Sequence, residues 1–162
     1  MILLFSRRKF CLDALKTTAV LACSQAGAQQ KKSESWLFSA CDDYEGKHYI
    51  AAWSEASKDK GSLIEVPLRA HSAKPHPTRP EVIFFARRPG DEAYLLDYQQ
   101  GRIIKRIQAP AGYHFYGHAC YSADGQTLYA TENSYSKHPS KPSEGLVGVY
   151  DSTNLQRLGE FS

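Results

Sequence analysis

Val82-Ile83-Phe84-Phe85-Ala86 is an unbroken apolar run closed by a small residue, and it has a counterpart on either side, Leu37-Phe38-Ser39-Ala40-Cys41 before it and Thr127-Leu128-Tyr129-Ala130-Thr131 after it. The alanines at 40, 86 and 130 set a period of 44 to 46 residues. A period in the forties with several short strands per unit is the signature of propeller blades. The expected fold is therefore all-β, a partial β-propeller of about three blades. An open set of three blades leaves faces without neighbours, so the chain reads as the C-terminally truncated front of a longer protein.

Further short runs fill each unit. In the first, residues 36–41, 48–54 and 62–68 read as strands, separated by turn-rich segments. The second unit gives 82–87, 93–98 and 103–108, and the third gives 119–121, 127–132, 145–150 and 155–161. Ser122-Ala123-Asp124-Gly125 supplies a turn within the third unit. Asp97 and Asp151 each end a strand and are expected to cap the following turn through backbone N–H groups. The two prolines in residues 136–143 keep that stretch out of any ladder, and it reads as a surface insertion.

Residues 1–28 form a separate segment. Ser6-Arg7-Arg8-Lys9-Phe10 has the paired arginines of a twin-arginine export signal, and the apolar stretch behind it is too short and too broken by Asp13 and Lys16 to span a bilayer. Ala26-Gly27-Ala28 fits a cleavage site, with residues 29–35 as a polar leader and 36–162 as the blade-like domain. The competing reading is lipid attachment at Cys23, from Val20-Leu21-Ala22-Cys23, and only that reading attaches the chain to a membrane. Both readings place the protein in the periplasm, and residues 9–25 are expected to be poorly ordered or a short helix.

The formal charge of +3 belongs to the signal, where Arg7, Arg8, Lys9 and Lys16 face Asp13 alone. The remainder is neutral, which argues against nucleic acid or anionic lipid as a partner. Cleavage leaves Cys41 and Cys120, in different units and at non-equivalent positions, and both are expected as small core residues. There is no CxxC, HExxH, GxSxG or phosphate-loop motif.

The densest collection of chemical side chains is Gly112-Tyr113-His114-Phe115-Tyr116-Gly117-His118, which reads as a loop entering a strand. His71 stands 15 residues before Ala86, and His118 stands 12 before Ala130. Imidazoles converging on the mouth of a channel suit a transition metal such as iron or copper, a haem edge or an anionic ligand, with His114 and His118 as the metal pair. Their structural alternative is to tie one blade to the next. Arg87 and Arg88 occupy places where the next unit has Glu132 and Asn133, so an interblade salt bridge competes with a fork for a carboxylate or phosphate.

The stretches Phe84-Phe85-Ala86-Arg87-Arg88-Pro89-Gly90, Ala109 to His118 and Leu128-Tyr129-Ala130-Thr131-Glu132-Asn133 closely resemble the bacterial family called domain of unknown function 1513, and the resemblance runs over about residues 36–162. It implies an exported seven-bladed propeller of roughly twice this length, encoded beside imelysin-type iron-regulated proteins and a di-haem oxidoreductase. A periplasmic role in iron acquisition follows from it, with no established reaction and with the second half and its later His-rich motif missing. The leading expectation is a noncatalytic protein that binds a ligand or partner. The alternatives are a hydrolase or lactonase-like propeller using channel histidines and Glu132 as acid and base, and a nonfunctional truncated gene product.

Overall fold

The structure, a computed structural model, describes residues 34–56, 61–134 and 144–162. The export signal, Cys23, the expected helix at 9–25 and the insertion at 136–143 lie outside the described residues. Those residues belong to one compact unit, Glu34–Ser162, and contain strands and turns only. Among them no helix is long and apolar enough to cross a membrane.

Among the described residues eleven strands form three antiparallel sheets, each in simple chain order. Sheet 1 holds β1 (Trp36–Asp42), β2 (His48–Ser54) and β3 (Gly61–Val66). Sheet 2 holds β4 (Ala70–Pro75), β5 (Glu81–Ala86), β6 (Glu92–Asp97) and β7 (Arg102–Gln108). Sheet 3 holds β8 (Tyr113–Tyr121), β9 (Thr127–Ser134), β10 (Gly145–Asp151) and β11 (Arg157–Phe161). Four-stranded antiparallel meanders repeated side by side are the architecture of propeller blades.

The periodic alanines fall on β1, β5 and β9. In sheets 2 and 3 these are second strands, so the sequence period marks the second strand of each unit rather than the first. Two strands depart from expectation. β4 was not expected at all, and β8 extends through residues 113–118, which read as a loop. His71, His114 and His118 consequently lie inside strands. Sheet 1 has three strands and lacks a counterpart of β4 and β8, leaving the edge of β1 unpaired among the described residues.

Sheet 2 is the centre of the packing, and its strands explain the apolar run that sets the period. Side chains alternate across a strand, and both faces of sheet 2 are covered, so Val82 to Ala86 are all buried. Val82, Phe84, Tyr94 and Leu96 pack against sheet 1 with Ile50, Ala52 and Val66. Ile83, Phe85, Ala93 and Leu95 pack against sheet 3 with Phe115, Leu128, Ala130 and Tyr150. Edge-to-face contact between Phe85 and Phe115, with centroids 5.1 Å apart, locks that second core.

Asp97 Oδ1 accepts the N–H groups of Gln99 and Gln100, and Asp151 Oδ1 accepts those of Thr153 and Asn154, as expected of turn caps. Cys41 and Cys120 depart from expectation: both are exposed free thiols, because strand alternation turns them away from the packed faces.

The tie between sheets 2 and 3 at their turn end is made by a histidine that the sequence did not single out. His76 is buried, and its Nε2–H donates to the Gly125 carbonyl at 2.8 Å. Its Nδ1 accepts the N–H groups of Thr78 and Arg79, which fixes the tautomer. The ring stands edge-on to Tyr121, 4.7 Å between centroids. Arg79 adds a bond to the Ser152 carbonyl at 2.8 Å and is itself held by Glu81.

Candidate functional site

β4 and β8 are the first strands of neighbouring sheets, and they bring His71 and His118 together. The two imidazoles stand 5.6 Å apart between centroids, nearly perpendicular. The local backbone of β8 makes this possible. Its pairing with β9 slips between Phe115 and Ala119, a bulge, and Gly117 within it has φ +88°. Glycine is the residue that adopts that conformation without strain. A Cβ at Gly117 would also stand 2.6 Å from His71 Cδ2, so the bare α-carbon leaves the space that the His71 ring occupies.

Beside His71 lies a depression of about 250 Å³ lined by Ala40, Arg69, Ala70, His71 and Arg87. Arg69 was not anticipated as a site residue. Its carbonyl accepts the Arg87 N–H at 2.7 Å, and its guanidinium pairs with Asp42 at 3.2 Å. Asp42 also bonds His48 Nδ1 at 2.9 Å. No carboxylate pairs with Arg87 among the described residues, so the depression has cationic character that its own surroundings do not fully neutralise.

The other expected site residues are placed differently. Arg88 lies over the Tyr116 ring, 4.0 Å from its centroid, and is engaged in a cation–π contact. His114 does not share the histidine pair: its ring neighbour is Tyr116, and it is buried. Burial, aided by the charge of Arg88, holds the His114 imidazole below its ordinary pKa and so favours its neutral form. Of the two imidazoles expected to form a metal pair, His118 stands beside His71 of the neighbouring sheet.

Glu132 is committed to its own sheet. It is fully buried, accepts the Tyr150 hydroxyl, and pairs with Arg157 at 2.8 Å. That network pushes the Tyr150 hydroxyl up, through burial first and then through its bond to Glu132, and it raises the Arg157 guanidinium as well. The expected bridge from Arg87 or Arg88 to Glu132 does not form, because Arg157 on β11 already supplies the cation. Asn133 lies on the opposite face of β9, in a cavity of about 600 Å³ on the outer side of sheet 3, with a buried Oδ1 that has no hydrogen-bond partner among the described residues.

Among the described residues no group of three or more His, Cys, Asp or Glu is placed to hold a metal ion. The arrangement offers two imidazoles and a nearby cationic depression. It suits an anionic ligand, or a metal centre that brings most of its own ligands.

The class defined by these sheets and this site is a blade-built β protein with a histidine pair on its first strands. The sequence matches the family described as Protein of unknown function (DUF1513) over residues 64–162, and the chain belongs to that family. Among solved structures it is similar to a dihydro-heme d1 dehydrogenase, NirN, in complex with DHE, at TM-score 0.54 and 19% sequence identity. The similarity covers 78% of this chain and 27% of that one, so the chain spans about a quarter of its length, and the likeness is one of fold. No curated protein matches.

Proposed function

We propose that the chain is an exported, periplasmic sector of a β-propeller that binds a ligand without catalysing a reaction, in the service of iron acquisition. The carrying observation is the His71 and His118 pair, set across two first strands and given room by Gly117. The ligand class is haem-type, or an iron or copper ion that keeps other ligands of its own. A neutral imidazole is the common protein ligand for such metals. Arg87 beside His71 suits the carboxylates of a haem-type group, since a guanidinium binds carboxylate as a planar fork. One solved structure of similar fold is that of a dihydro-heme d1 dehydrogenase, which favours this ligand class. Imelysin-type or di-haem periplasmic proteins are the partners this reading supplies.

The hydrolytic alternative loses support from Glu132. A carboxylate enclosed by Tyr150 and Arg157 is not available to a substrate proton, and acid–base work requires a group within hydrogen-bond reach of the reacting atom. Titration calorimetry and absorbance titration with haemin, ferrous iron and cupric ion test the proposal. Binding of one of them is expected, weakened about tenfold or more by His71→Ala or His118→Ala, a loss of about 1.4 kcal/mol. No binding of any of the three, together with no capture of an imelysin-type protein, refutes it.

A further inference from the structure

The pairing of β4 with β5 runs from Ala70 opposite Ala86 to Ser72 opposite Phe85, so His71 is the extra residue of a bulge. A bulge re-aims a side chain out of the ladder, and the His71 ring stands beside His118 as a result. On the other side of that bulge the ladder continues one step past Ala70 and Ala86. The Arg87 N–H donates to the Arg69 carbonyl at 2.7 Å, so the two arginines stand opposite each other at the strand ends. Both line the depression of about 250 Å³ together with His71, and its remaining lining residues, Ala40 and Ala70, are small enough to leave it open.

Like charges directly opposite each other across a ladder destabilise it. Among the described residues one carboxylate pairs with either arginine. Asp42 Oδ2 lies 3.2 Å from the Arg69 guanidinium, and Asp42 Oδ1 bonds His48 Nδ1 at 2.9 Å. Asp43, the next acid in the chain, is committed to its own turn, accepting the N–H groups of Glu45 and Lys47 and the Tyr49 hydroxyl. Two guanidiniums thus face one carboxylate, and the positive charge left over is that of Arg87. Arg88 does not share in this arrangement, since its guanidinium lies over the Tyr116 ring.

We propose that Arg69 and Arg87 form a carboxylate subsite, in which Asp42 serves the Arg69 half from within the chain and Arg87 anchors a carboxylate of the ligand. A guanidinium presents its N–H donors as a rigid planar fork that matches a carboxylate. Asp42 on Arg69 shows that one guanidinium of the pair already takes a carboxylate. The ligand's carboxylate belongs either to a haem-type group seated at the histidine pair or to a free small organic acid. Only in the first case does the subsite rest on the proposed haem-type ligand.

The test uses the full chain. Succinate is titrated while the arginine side-chain Nε–H signals are followed by NMR, and absorbance titration compares haemin with its dimethyl ester, in which both carboxylates are masked. For a free acid, succinate is expected to shift the Arg87 signal, with binding weakened about tenfold or more by Arg87→Gln. For a haem-type group, haemin is expected to bind about tenfold or more tighter than the ester, and Arg87→Gln to remove that difference. Arg87→Lys, which keeps the charge without the fork, recovers part of the binding. Asp42→Asn strengthens it, because the competing internal carboxylate is gone. Arg87→Gln also relieves the like-charge pair, so its unfolding midpoint is expected at or above that of the parent.

The inference is overturned by a carboxylate effect that survives Arg87→Gln, by weaker binding in Asp42→Asn, or by a lowered midpoint in Arg87→Gln. Phosphate that binds Arg87 more tightly than succinate overturns the assignment to carboxylate. Equal binding of haemin and its ester, with no response to succinate, overturns this inference and leaves the ligand reading standing. A succinate response that depends on Arg87 leaves the subsite standing even where haemin, ferrous iron and cupric ion fail to bind and the ligand reading falls.

Discussion

Replacing His76 with alanine should loosen the contact between sheets 2 and 3 more than any other single change at their turn end. The ring is buried, and three hydrogen bonds to backbone groups and one aromatic contact depend on it. The Gly125 carbonyl would keep a donor, since the Ser152 hydroxyl also reaches it at 2.5 Å, so that bond costs only its net worth of about 1 kcal/mol. The N–H groups of Thr78 and Arg79 would lose their acceptor within a turn that water partly reaches, at about 1 kcal/mol together. The edge contact with Tyr121 adds about 1 kcal/mol. The sum is about 3 kcal/mol. His76→Asn separates the terms, because its short side chain can still accept from the two turn N–H groups, as asparagine does in turns, but cannot reach across to Gly125. It should cost about 2 kcal/mol. Urea unfolding at constant slope measures both values. An alanine variant within about 1 kcal/mol of the parent, or an asparagine variant as unstable as alanine, refutes the assignment of His76 as the tie between sheets.

Two other outcomes follow from the site. Gly117→Ala should cost about 1–2 kcal/mol, from strain at positive φ and from the clash with His71, and should weaken haemin binding along with thermal stability; an unchanged melting temperature and unchanged binding would show that neither constraint operates. The His114 imidazole, held below its ordinary value of 6.5 by burial and then by Arg88, binds fewer protons folded than unfolded. Its contribution is therefore fully present above the unfolded value and is lost as pH falls through that value toward the folded one. Unfolding curves compared between pH 7 and pH 5 should show a steeper acid loss in the parent than in His114→Phe, and histidine NMR titration of Arg88→Gln should find the His114 pKa moved upward.

The sequence carries those parts of the fold that its side chains encode by repetition. The alanines at 86 and 130 recur because β5 and β9 are second strands of successive sheets and turn them toward the preceding sheet, whereas Ala40 on β1 faces the following one, and Asp97 and Asp151 announce their turns by a chemistry that acts within three residues. β4 was illegible for the opposite reason. Ala70-His71-Ser72-Ala73-Lys74-Pro75 is polar, weak in strand-forming residues and closed by proline. It becomes a strand because β5 offers it a ladder. β8 escaped because Gly117 and the bulge beside it interrupt the alternation by which strands are recognised. The histidine pair was half legible: the residues were named, but partners on different strands are set by stacking, and spacing along the chain suggested His114 instead of His71. His76 and Arg69 gave no motif, since their roles depend on Gly125 and Asp42, residues distant in sequence.

Phe84 and Phe85 are neighbours in sequence, yet each belongs to a different core, because β5 is covered on both sides. Sheet 2 therefore acts as a party wall whose successive residues answer to different rooms. A mutational drift that reshapes the room shared with sheet 1 passes through even-numbered positions of β5, and one that reshapes the room shared with sheet 3 passes through odd-numbered ones. The two interfaces can diversify on separate histories within a single six-residue strand.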